Sequence, residues 1–120
     1  VASKLRKIVN LTNGNVVADR VRTADTFTDR LLGLLKSPPL EPGEGLIIQP
    51  CSSIHMFGMK FAIDVIFYDR DHRVVAVVDD IKPGQMSAPF LRALGCVELP
   101  SGTARDTNTR VGDQLELSDV

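Results

Sequence analysis

The stretch CSSIHMFGMKFAID, from Cys51 to Asp64, gathers a thiol, an imidazole, two thioethers and a carboxylate. Three chemistries could use them. In the first, Cys51 is a nucleophile, His55 takes its proton and Asp64 orients the imidazole. That requires the thiol within hydrogen-bond reach of the imidazole, which spacing alone does not supply. In the second, Cys51, His55, Met56 and Met59 offer the sulfur and nitrogen donors that suit Cu(I). Their spacing matches no zinc pattern and Met is chiefly an adaptable core filler, so no metal is assigned and no cofactor is expected. In the third, His55, Lys60 and Asp64 serve a ligand-binding mouth, with Lys60 supplying a cation. Loops carried on rigid strands commonly hold such sites. The third is the reading adopted here: a non-catalytic binding or accessory module with its site near residues 51–60. The alternative is an enzyme using Cys51 and His55, with Cu(I) binding behind it. No nucleophile elbow, HExxH, P-loop or dinucleotide fingerprint supports a particular enzyme class.

Asp64 also has a purely structural reading. It interrupts the apolar run KFAIDVIFY, and strand alternation puts it with Ala62, Ile66 and Tyr68, opposite Phe61, Ile63, Val65 and Phe67. A buried carboxylate needs partners. Loop amides, or an Arg such as Arg30, would provide them and hold the preceding loop in place. His72 falls in a hairpin turn, where exposure is expected. Cys51 and Cys96 form neither a CxxC nor a zinc motif, so two separate reduced thiols are expected, pairing only if the fold brings them together.

The elements that must position these residues are mostly strands. KIVNL and NVVADRV flank TNGN, and Asn-Gly between apolar runs predicts a hairpin with strands near 7–11 and 16–22. Asp25 or Thr26 then caps a helix over about 26–36, with Phe27, Leu31, Leu34 and Leu35 as its apolar stripe and SPPL as its stop. LIIQ, KFAIDVIFY, RVVAVVDDI, LGCVELP and RVGDQLELS follow as strand candidates, separated by turns at DRDH and KPGQ. Ser101 is a candidate cap for a short helix over about 101–108. The expected fold is one α+β domain spanning 1–120, a mostly antiparallel, barrel-like sheet with one main helix and one short helix.

Bulk properties exclude more than they assign. The hydrophobic fraction of 43% is that of an ordinary globular chain, long enough to fold without staples. Residues 1–36 carry seven cations against three Asp, a charge of +4, and the total of −1 leaves −5 for the remainder. With no block of like charge, nucleic-acid binding is not expected. VVAVV is the longest purely aliphatic-plus-Ala run, so no transmembrane segment is expected. The chain begins with Val1, and its compartment stays open between the cytoplasm and export after removal of an upstream segment. A monomer is expected, with a small polar molecule, a glycan or a peptide as partner. Aromatic residues make up only 5%, which weakens the glycan option.

Three blocks in order carry a resemblance. They are RLLGLLKSPPLEPGEGLII, IHMFGMKFAIDVIFYDRDHRVV and VELPSGTARDTNTRVGDQLEL. Together they resemble the bacterial and archaeal domain-of-unknown-function family 192 over about residues 6–117. The resemblance implies no activity. It implies that some relatives are exported or envelope-associated. Many members have Trp in the aromatic position before the Met and Pro where Ala62 stands, whereas HMFGMKFAID has neither. The VGDQLEL ending also resembles the Gly-Asp turn of cradle-loop barrels, in which Asp113 would bind backbone amides.

Overall fold

A computed structural model describes residues 4–24 and 38–120. Seven strands form one sheet: β1 (Arg6–Asn10), β2 (Val16–Thr23), β3 (Glu44–Ile48), β4 (Ile63–Tyr68), β5 (Val74–Ile81), β6 (Gly95–Pro100) and β7 (Leu115–Asp119). Their spatial order is β5-β4-β6-β3-β2-β1-β7. Every pairing is antiparallel except β2 with β3. The two outer strands meet at one corner. Arg73 bridges Gln114, the Val74 amide donates to the Asp113 carbonyl at 2.8 Å, and the Leu115 amide donates to the His72 carbonyl at 2.9 Å. The sheet is therefore curled into a half-barrel, which also protects edge amides that would otherwise be open.

Alternation along the strands feeds two cores. The inner one takes a residue from each of the seven strands, including Ile8, Val21, Ile47, Ile66, Val74, Val97 and Leu115. The outer one lies on the opposite face and contains Leu46, Ile48, Ile63, Val65, Phe67 and Cys96. It is covered by loop residues, among them Ile54, Met56, Met59, Phe61 and Phe90. Because both faces are covered, β4 is buried along its whole length, as KFAIDVIFY predicts.

The α+β expectation is corrected. Among the described residues the only helix is the four-residue α1 (Thr103–Asp106), so strands dominate the fold. The helix expected over 26–36 lies outside the described residues. The short helix covers less than the expected 101–108 because left-handed residues bracket it, Gly102 at φ 95° and Asn108 at φ 53°. Ser101 does not cap it; its hydroxyl donates to Asp80 Oδ1 at 2.7 Å. The turns match their sequence signals. Gly14 closes the β1–β2 hairpin at φ 80°, and Gly84 closes KPGQ at φ 84°. Asp113 Oδ2 accepts from the Arg110 amide at 2.9 Å and from Asn10 Nδ2 at 2.8 Å.

Candidate functional site

Asp64 sits at the start of β4 with no exposed surface. Its Oδ1 accepts from the Asp80 amide at 2.8 Å. Its Oδ2 accepts from the Gly102 amide at 3.1 Å and the Ala104 amide at 2.8 Å. The carboxylate thus caps α1 from a distant strand and ties it to the end of β5, where Asp80 takes a left-handed φ of 52°. The Asp80 side chain continues the tie. The Ser101 hydroxyl, with Lys82 behind it, holds the Asp80 carboxyl below the usual range. These are backbone amides, but they come from the end of β5, the turn before α1 and α1 itself rather than from the preceding loop.

That preceding loop is pinned elsewhere. The Met56 amide donates to the Gln85 carbonyl at 2.7 Å, the Gly84 amide to the Met56 carbonyl at 2.9 Å, and the Ser87 amide to the Ile54 carbonyl at 2.8 Å. Residues 54–56 and 84–87 therefore make a short ribbon, joined by the His55–Met86 bridge. Met56 plugs the outer core at 1% exposure, while its neighbours His55 and Phe57 are exposed. Their rings stack at 4.9 Å between centroids. Phe57 is 55% and Met86 66% exposed, and Lys60 is exposed nearby in sequence. Among the described residues no hydrogen bond joins Cys51, His55 and Asp64, and each has different partners. Of the Cu(I) donor candidates, Met56, Met59 and Cys51 pack into the outer core, while His55 is exposed on the ribbon. Among the described residues no cluster of three or more His, Cys, Asp or Glu is placed to hold a metal.

Cys51 has a different partner. The chain leaves β3 through Gln49 and Pro50, and the Cys51 amide donates to the Leu94 carbonyl at 3.1 Å, next to β6. This brings half-buried Cys51 and fully buried Cys96, both reduced thiols, into the same outer core. The neutral Cys51 thiol donates to the Ser53 carbonyl at 3.1 Å. The Cys96 thiol lowers the Cys51 thiol to about 7 against the opposing effect of burial, with the Ser53 backbone assisting. Cys96 moves well up, first through the Cys51 thiol and second because it is buried. The expected outcome is that iodoacetamide labels Cys51 with a midpoint near pH 7 while Cys96 in the folded protein stays unlabelled. Peptide mapping of the alkylated protein across pH checks this. Equal labelling of both, or a midpoint near the ordinary thiol value, contradicts it.

Sequence reasoning missed Glu98. It stands two residues after Cys96 on β6, so it shares that face, and it is only 5% exposed. Its Oε1 is buried and has no hydrogen-bond partner among the described residues. Burial, with a further contribution from Cys51, pushes its carboxyl up to about 8. On the inner face Tyr68 is kept protonated by burial and by Cys96, and it donates to Gln49 Oε1 at 2.8 Å. The period of the strand was the available signal: GCVELP puts Cys96 and Glu98 on one side and Val97 and Leu99 on the other.

A cleft of about 520 Å³ reaches Pro50, next to Cys51 in sequence, though neither thiol lines it. Pro50 and Leu94 line it, and these two residues bracket Cys51, one by sequence and one by its backbone hydrogen bond. Arg70 and Arg92 also line it, together with Asp69 and Asp71. Asp69 is already engaged, its Oδ1 accepting from the Asp71 and Arg73 amides at 2.9 and 3.0 Å.

Comparisons with known proteins identify the lineage. A family model, DUF192, described as Uncharacterized ACR, matches residues 8–117. A UPF0127 protein of Thermococcus sibiricus is 34% identical over 91% of this chain and 73% of its own length. A UPF0127 protein of Pyrococcus furiosus is 35% identical over 91% of this chain and 96% of its own. A crystal structure of a protein of unknown function from Novosphingobium aromaticivorans superposes with a TM-score of 0.79 at 22% identity, covering 93% of this chain and 83% of that one, and so shares the fold. Among the described residues no helix is long and apolar enough to cross a membrane. With a model match over nearly its whole length and archaeal relatives above 30% identity, the chain belongs to the uncharacterised family DUF192.

Proposed function

We propose that the protein is a non-catalytic binding or accessory module whose recognition surface is the ribbon of residues 54–60 and 82–87. The observation that carries this reading is the presentation of Phe57 and Met86. Two large apolar side chains stand more than half exposed on a backbone tied by the Met56–Gln85, Gly84–Met56 and Ser87–Ile54 hydrogen bonds and plugged at its base by Met56. Neither side chain is needed to fill a core, and exposed apolar groups on a rigid support characterise interaction sites. His55 stacks on Phe57 and stiffens it, so less freedom is lost on binding. The ligand class that fits is a peptide with an apolar side chain, held by Phe57 and Met86 and flanked by the Lys60 cation.

The test is selection from a displayed library of short peptides, followed by amide-shift mapping with a selected peptide. Shifts are expected at 54–60 and 82–87. Phe57→Ala is expected to weaken binding by about tenfold or more without loss of thermal stability. A peptide that binds with those amides unmoved, or a Phe57→Ala variant with unchanged affinity, removes the reading. The same outcome follows if no peptide is selected.

A further inference from the structure

We propose that Cys51 and Cys96 form a thiol–disulfide exchange site that consumes a small, carboxylate-bearing disulfide, with Cys51 attacking and Cys96 resolving. The geometry assigns the roles. Both thiols belong to the outer core and the Cys51 amide is tied two residues from Cys96, yet Cys51 is half-buried at a loop and Cys96 is fully buried on β6. An outside sulfur can reach only the first. The Cys51 amide is fastened to Leu94, so the loop thiol is held over the strand rather than free to swing. The cleft lined by Pro50 and Leu94 is of small-molecule size, and its Arg70 and Arg92, with Asp69 and Asp71 beside them, suit a ligand that carries both carboxylate and ammonium groups.

The second, independent observation is Glu98. A carboxyl with Oε1 buried and without a partner is costly in a core. It lies two residues along β6 from Cys96, on the same face. In exchange chemistry that group has a role, because the resolving thiol must lose a proton where water cannot reach.

The reaction balances as follows. Cys51 ionises and its sulfur attacks one sulfur of the disulfide RSSR. The RS–SR bond breaks, and the leaving thiolate takes up the proton that Cys51 gave up. The product is a mixed disulfide between Cys51 and R. The negative charge beside Glu98 is then gone, and the Glu98 carboxylate accepts the Cys96 proton. Cys96 attacks the Cys51 sulfur, forming the Cys51–Cys96 bond and expelling the second thiolate, which receives that proton. Two protein thiols are oxidised, and one small disulfide is reduced to two thiols.

The probe is oxidised glutathione, followed by intact mass after acid quench. Wild-type protein is expected to lose two hydrogens and both alkylatable thiols, through a transient glutathione adduct on Cys51. Cys96→Ala is expected to hold that adduct indefinitely. Cys51→Ser is expected to react at least about tenfold more slowly than wild type, because only the buried thiol remains. Glu98→Gln is expected to leave adduct formation unchanged and slow its resolution about tenfold. Should Cys96→Ala not fold, the wild-type time course still carries the decision through its transient adduct. Wild-type protein that keeps two free thiols, an adduct that never resolves, or a Cys51→Ser variant that reacts as fast as wild type would overturn the proposal.

Discussion

Replacing Asp64 with Ala lowers the unfolding free energy by roughly 3–5 kcal/mol, read from urea midpoints with an unchanged slope. The carboxylate is wholly buried and accepts three backbone hydrogen bonds, from Asp80, Gly102 and Ala104. A hydrogen bond to a charged acceptor contributes roughly 1.5–3 kcal/mol, and each donor left unsatisfied adds a desolvation cost. Water entering the vacated space recovers part of this, which holds the total below the plain sum. The loss is local before it is global. Amide exchange at Gly102 and Ala104 should accelerate more than at Val97, because α1 has no other side-chain cap at its start. Asp64→Asn keeps one accepting oxygen but turns an NH₂ toward amide donors, so it should recover less than half of the loss. A cost below about 1 kcal/mol for Asp64→Ala would mean that these amides reach water, and the brace would have no weight.

The same residue shows how far sequence reasoning reached. KFAIDVIFY announces a strand buried on both faces with one carboxylate in it, and alternation assigns that carboxylate to the side of Ile66 and Tyr68, two inner-core residues. The partners could not be read, because they come from residues 80–104, brought near by the β4–β5 and β4–β6 pairings. Local signals were legible for the same reason that distant ones were not. Asn-Gly and Pro-Gly specify turns through the φ of one residue, so the strand order along the chain followed closely. The curl depends on Arg73 meeting Gln114, a contact no window of sequence contains. At the candidate site, spacing suggested Cys51 with His55. The fold gives Cys51 to Cys96 instead, because the Cys51 amide bonds to Leu94 while the His55 ring turns outward onto Phe57. Sequence proximity favoured a pair four residues apart; strand pairing favoured one across the sheet.

Replacing Glu98 with Gln should stabilise the protein by about 2–3 kcal/mol at pH 8, and the gain should vanish below about pH 4.5. Burial raises the folded carboxyl to about 8 from the ordinary 4.5. Between those values the folded state holds a proton that the unfolded state has released. Stability is therefore fully present below the unfolded value and falls as pH rises through the folded one. At roughly 1.4 kcal/mol for each tenfold change, that difference sets a ceiling near 5 kcal/mol, and relaxation around the buried charge reduces it. Gln keeps the volume and stays neutral, so its curve should run flat across the window in which wild type declines. Urea midpoints of both proteins at pH 4, 6 and 8 measure the divergence. Parallel curves would show that Glu98 finds a partner when ionised. Diverging curves would mean that the chain carries, two residues from the buried Cys96 thiol, an acid that weakens its fold at neutral pH, as expected of a group held for proton transfer rather than for stability.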